Sequence, residues 1–166
     1  MIRKAKKKDA SRLAEILVFA KRTAYRSIFQ DDNGSFNLLQ VLDLALSFRD
    51  QEGTLKDLYV YEEDNIVKGL IHWHLKKGTK NSTHIQIEEL YIDPFFQGQG
   101  IGKKLMTNCL KHARLANASP IFLWVLEENH KARKFYERFG FQPTDRKEFE
   151  PGTNVVKLEY AFDFSL

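Results

Sequence analysis

His84-Ile-Gln-Ile-Glu-Glu-Leu-Tyr-Ile-Asp-Pro-Phe-Phe-Gln-Gly-Gln-Gly-Ile-Gly-Lys103 passes without interruption from an extended segment through three clustered glycines into a helix. Residues 85–92 gather apolar and β-branched positions as a buried strand does, Asp93-Pro94 closes the run, and Ile101, Leu105, Cys109 and Ala113 repeat at helical spacing. Gly98, Gly100 and Gly102 lack Cβ atoms, so backbone N–H groups can approach an anion closely, and the helix N-terminus adds unpaired donors and its dipole. The stretch reads as a phosphate cradle.

Outward from it, the 166 residues, 43% of them hydrophobic, suit one domain spanning 1–166 with a core that needs no disulfide framework. The single cysteine, Cys109, falls on the apolar side of its helix, which fits a reducing compartment and a core role. The basic start Met1 to Lys8 has no apolar run behind it, and no segment approaches a membrane span, so a soluble cytoplasmic protein without a membrane partner is expected. The net charge of +4 is spread among 22 acids, and zinc-finger, basic-heptad and RNP-type signatures are missing, so nucleic acid is not the expected partner.

Upstream, Ile2 to Ala5 reads as a short strand, and Asp9 as the N-cap of a helix with Leu13, Ile16, Leu17, Ala20 and Ala24 on one stripe. After the turn signal Asp31-Asp32-Asn33-Gly34, a second helix is expected over Phe36–Phe48, apolar on more than one side. Leu58 to Tyr61 and Ile66 to Leu75 form a hairpin about Asp64-Asn65. Alternation in its second strand assigns Val67, Ile71, Trp73 and Leu75 to one, apolar face and Lys68, Leu70, His72 and His74 to the other. The two histidines lack a third ligand at a recognisable spacing, so no metal is expected. Downstream, Ile121 to Leu126 is a strand, Ala132, Phe135, Tyr136 and Phe139 mark a helix closed by Gly140, and Val156, Leu158, Tyr160 and Phe162 alternate as a final strand.

Spacing rejects two phosphate loops. A Walker loop needs four residues before Gly-Lys and then Ser or Thr, whereas three separate Gly98 from Gly102 and Lys104 follows Lys103. A dinucleotide fingerprint needs glycine at 103, and usually follows the first strand of its unit. What fits is Gln97-x-x-Gly100-x-Gly102 after Leu-Tyr-Ile-Asp-Pro, with Asn129-x-x-Ala132-x-x-Phe135-Tyr136-Glu137-x-x-Gly140-Phe141 one strand and one helix later. Together these blocks resemble the GNAT superfamily of acetyl-CoA-dependent N-acetyltransferases, over about residues 84 to 142.

The resemblance implies an α/β fold of the α+β type: a mixed, mostly antiparallel central sheet of about six to seven strands flanked by about four helices. It implies acetyl-CoA as co-substrate, held by backbone groups of Leu90, Tyr91 and Ile92, by Gln97, Gly98, Gln99, Gly100, Ile101, Gly102 and Lys103, and by Asn129. It makes Tyr136 the proton donor to the departing thiolate, and Glu88 the base drawn from an acidic pair with Glu89, the two neighbours being expected on opposite strand faces. His72 and His74 are reserve bases, and Lys103 and Lys104 could add charge near the phosphates. Tyr25, Phe29, Asp31 and Asp32 are expected near the acceptor. With no cysteine or serine in a nucleophile setting, an amine should attack acetyl-CoA directly in a ternary complex. The expected acceptor is a polyamine or other small cationic amine; a protein or peptide N-terminus, and a noncatalytic acyl-CoA-binding module, stand as rivals. Exposed strand edges near the C-terminus leave room for a homodimer.

Overall fold

The computed structural model describes residues 1–29, 39–78 and 82–164. Among these residues seven strands form one sheet in the order β1-β2-β3-β4-β5-β7-β6. They are β1 (Ile2–Lys4), β2 (Leu58–Glu63), β3 (Ile66–Lys77), β4 (Thr83–Ile92), β5 (Ile121–Leu126), β6 (Gln142–Phe149) and β7 (Val156–Phe162), and among the described residues only the β4–β5 pair is parallel. Among the described residues four α-helices flank the sheet: α1 (Ala10–Tyr25), α2 (Val41–Asp50), α3 (Ile101–Leu115) and α4 (His130–Glu137). The expected architecture is therefore the observed one.

Two apolar layers sandwich the sheet. One face packs Ile71, Trp73, Ile85, Ile87, Leu123 and Tyr160 against Ile101, Leu105, Met106 and Cys109 of α3. The other packs Leu58, Val60, Val67 and Leu70 against Leu13, Ile16 and Leu17 of α1 and Phe48 of α2. Burial pushes the Cys109 thiol up to about 12, which keeps it protonated and leaves it a packing residue. The hairpin turn falls at Asp64 and Asn65, both with positive φ, as the sequence indicated.

Several local expectations are corrected. The second helix begins at Val41, because the Leu39 carbonyl accepts from Arg22 (2.9 Å) and Gln40 stays extended; positions 36–38 lie outside the described residues. Ala24 is exposed at the end of α1, beyond the sheet. Asp9 precedes α1 without capping it, since its carboxylate accepts from Arg3 (2.7 and 3.0 Å) and from the Lys6 amide (2.8 Å). Val67 lies on the α1 side with Leu70, not with Ile71. Tyr61 pairs Gly69 and Glu62 pairs Val67, so Lys68 is an extra residue that resets the alternation.

Candidate active site

The sheet opens at its parallel pair. β4 and β5 pair only through Ile85–Ile121, Gln86–Phe122 and Ile87–Leu123; beyond Ile87, β4 continues along β3 while β5 continues along β7. The stretch from Glu88 to Ile92 thus has one edge without a strand partner. The Ile85 amide donates to Pro120 on the β5 side (3.2 Å), whereas the Asp93 amide donates to Lys68 on β3 (3.0 Å). Strand alternation then turns the backbone of Tyr91 toward β3 and that of Leu90 and Ile92 toward the gap.

A bulge sits where the strands part. His72 pairs Glu89 and Trp73 pairs Ile87, which leaves Glu88 unmatched. Both glutamates consequently emerge on the α1 face, contrary to the expected opposition. Glu89 accepts from Lys21 of α1 (3.1 Å), and Glu88 pairs with Lys76 (3.4 Å), which shares its strand face with Leu70, His72 and His74. The His72 and His74 rings meet edge to face at 4.5 Å; His72 Nε2 lies 3.0 Å from the Lys56 carbonyl, and His74 Nδ1 lies 3.7 Å from Asp57. Burial, then His74, lowers the proton affinity of His72, with Glu89 pulling the other way. Among the described residues no group of three or more His, Cys, Asp or Glu side chains is arranged to hold a metal ion.

Asp93 ends β4 and anchors the loop. Its Oδ1 accepts from the Phe95 amide (2.8 Å), and its Oδ2 is engaged by Arg12 of α1, which also donates to the Val67 carbonyl (3.0 Å). Gly98 (φ 80) and Gly100 (φ 75) take the left-handed conformation that L side chains resist, and a Cβ on either would meet nothing within 4 Å. Gly100 caps α3 with no side-chain hydrogen bond, so helix geometry leaves the amides of Ile101, Gly102 and Lys103 without intrahelical acceptors. These donors fit a pyrophosphate. Lys103 is exposed, whereas Lys104 is turned away toward β2, donating to Tyr61 Oη (2.9 Å).

Helix α4 closes the other side. Asn129 caps it by accepting from the Ala132 amide (3.1 Å). Phe135 packs 3.4 Å from where a Gly102 Cβ would stand, which sets α4 against the start of α3. Tyr136 follows, with Phe135 and Phe141 as ring neighbours; burial, and to a smaller degree Tyr25, raises its phenol well above the ordinary value and keeps it protonated. Tyr91, partly buried beside Tyr25 and Glu89, is raised likewise by its loss of solvent, and its hydroxyl lies 3.0 Å from that of Tyr25. Phe29 stands edge to face with Tyr25 at 6.1 Å, while Asp31 and Asp32 lie outside the described residues.

The profile of the acetyltransferase (GNAT) family matches residues 10–141. The chain belongs to the GNAT family. It is 34% identical over 74 residues to the spermine/spermidine N(1)-acetyltransferase of Bacillus subtilis, covering 44% of this chain and 49% of that protein. Over 129 residues it is 30% identical to the ribosomal protein bS18-alanine N-acetyltransferase of Haemophilus ducreyi, covering 74% and 84%. The matched stretches span between 25% and 49% of the length of the first curated relatives. The structure of the PaiA N-acetyltransferase from Thermoplasma acidophilum in complex with coenzyme A superposes with a TM-score of 0.69 over 96% of each chain at 19% identity, a likeness of fold.

The loop and the α4 block, which carried the resemblance, lie within or at the end of the matched stretch and were both legible in the sequence. Other contacts of the site escaped it. Lys131 donates to Gln97 Oε1 (2.9 Å), tying α4 to the loop. A cation in the first turn of a helix runs against the helix dipole, and that mismatch was the available signal. Arg12, Lys21 and Lys76 carried no local signal, because each acts on a partner in another element.

Proposed function

We propose that the chain is an acetyl-CoA-dependent N-acetyltransferase whose acceptor is a small cationic primary amine, of the polyamine kind. The observation that carries the acceptor class is the glutamate pair. Glu88 and Glu89 stand together on the α1 face, and each already holds a primary ammonium group, that of Lys76 and that of Lys21. A face that binds lysine ammonium groups suits an amine substrate of the same chemistry.

In this reading the pantetheine enters the gap between β4 and β5, and the Leu90 and Ile92 backbone groups, flanking Tyr91, receive it and the thioester oxygen. Gln97, Gly98, Gln99, Gly100, Ile101, Gly102 and Lys103 hold the pyrophosphate, and Asn129 fixes the start of α4 beside it. Glu88 takes a proton from the bound ammonium, and Glu89 with Phe29 orients the acceptor; Asp31 belongs to the same proposed acceptor region. The neutral amine attacks the thioester carbon, and a backbone N–H of the unpaired β4 edge stabilises the oxyanion. As the tetrahedral intermediate collapses, the C–S bond breaks, the Tyr136 phenol protonates the thiolate and the nitrogen releases its second proton to solvent, so a neutral amide and free CoA thiol leave. The phenol recovers its proton from Glu88 through solvent. Acetyl-CoA supplies the activated acyl group; no covalent acetyl-enzyme is required.

A second reading, acetylation of a peptide N-terminal amine, is supported by the 129-residue match to the bS18-alanine enzyme. The deciding measurement is thiol release from acetyl-CoA with polyamines, amino acids, aminoglycosides and short peptides, run beside Tyr136→Phe. Turnover with polyamines and a slower Phe variant is expected. Turnover with peptides alone would select the second reading, and acetyl-CoA binding without thiol release from any acceptor would leave a noncatalytic acyl-CoA module.

A further inference from the structure

The unpaired stretch of β4 needs support that β5 does not give it. That support comes from α1 in three polar links: Arg12 to Asp93, Lys21 to Glu89, and Tyr25 to Tyr91. Lys21 and Tyr25 lie one helical turn apart, and Glu89 and Tyr91 are alternate residues on one strand face. Lys21 Nζ also stands 5.5 Å from the centre of the Tyr91 ring. The last turn of α1 is thereby fastened to the residues whose neighbours, Leu90 and Ile92, turn their backbones into the gap.

We propose that Tyr25 is a positioning residue for acetyl transfer: its hydroxyl, 3.0 Å from that of Tyr91, fixes Leu90–Ile92 on the open edge of β4 and with it the angle at which the thioester meets the amine. The proposal rests on the acetyltransferase reading. Tyr25 touches neither reacting atom; it acts through Tyr91. Small errors of placement matter greatly at this step, since near-attack geometry carries much of the rate advantage of a bound pair.

The test uses Tyr25→Phe, Tyr91→Phe and the double variant, each of which keeps the rings and removes only hydroxyls. Two readouts are taken: acetyl transfer with acetyl-CoA affinity measured separately, and amide hydrogen exchange of the 88–92 segment in the free protein. Expected is about a tenfold fall in kcat for either single variant, with acetyl-CoA affinity held within about twofold and no further fall in the double variant. Exchange in 88–92 should quicken while that of β7 stays unchanged. Unaltered exchange, or additive losses in the double variant, would overturn the positioning role. Quickened exchange in the variants, together with a wild-type protein that acetylates no amine, would instead overturn the acetyltransferase reading.

Discussion

Lys131 Nζ donates to Gln97 Oε1 over 2.9 Å, so a residue in the first turn of α4 holds the last side chain before the glycine loop. The bond is exposed and weak by itself, but it spans the two elements that would enclose the CoA phosphates. Lys131→Ala should leave thermal stability nearly unchanged and raise the Kd for acetyl-CoA by roughly three- to tenfold. Titration calorimetry at two salt concentrations checks this: the deficit should shrink as salt rises.

The carboxylate pair separates chemistry from binding. Glu88→Gln should lower kcat by about a hundredfold or more, the usual scale for losing a general base, with little change in the KM for the amine. Glu89→Gln, which takes the carboxylate partner from Lys21 and removes a charge from the acceptor face, should chiefly raise that KM. Steady-state kinetics over a polyamine concentration series decides, and an effect of Glu89→Gln confined to kcat would exchange the two roles.

Gly100 holds φ 75 with nothing near its absent Cβ, so an alanine there meets backbone strain and no clash. Gly100→Ala should cost about 1–2 kcal/mol of stability where the left-handed conformation is kept. If the loop relaxes instead, stability returns and CoA affinity is lost. Melting curves with and without CoA distinguish the two, because ligand stabilisation follows affinity.

His72 supplies a pH dependence whose sign is fixed. Burial first, then His74, hold its folded-state proton affinity below that of the unfolded chain, against the pull of Glu89, the Lys56 carbonyl and Glu88. Below about pH 6.5 the unfolded chain therefore binds more protons at this position, and stability should fall as pH drops, with no contribution above about pH 7. His72→Gln should flatten the melting temperature across about pH 7 to pH 5 relative to wild type. An unchanged slope would place the titration elsewhere.

The elements that were legible in the sequence are those with local rules. Strand, glycine loop and helix from His84 onward and the Asp64-Asn65 turn all depend on residues within a few positions of one another. What failed depends on pairing across the chain. The face of Val67, and the shared face of Glu88 and Glu89, follow from one extra residue relative to a neighbouring strand, which no single-strand alternation can register. The links of α1 to β4 join residues 66 to 81 positions apart, so only the folded sheet brings them together. Phe36, Asp31 and Asp32 fall outside the described residues, and those expectations stand as expectations.

Glu88 and Glu89 occupy the length that an unbroken strand would give to one residue. Taking either away would leave Ile85, Ile87, Leu90 and Ile92 in regular succession on the α3 side, with every core contact of β4 still served. In this strand the fold carries a spare position, and the proposed chemistry resides in the surplus. A single-residue deletion there should thus yield a protein that assembles its layers but no longer offers two adjacent carboxylates to an amine, so that structure and activity come apart at one codon.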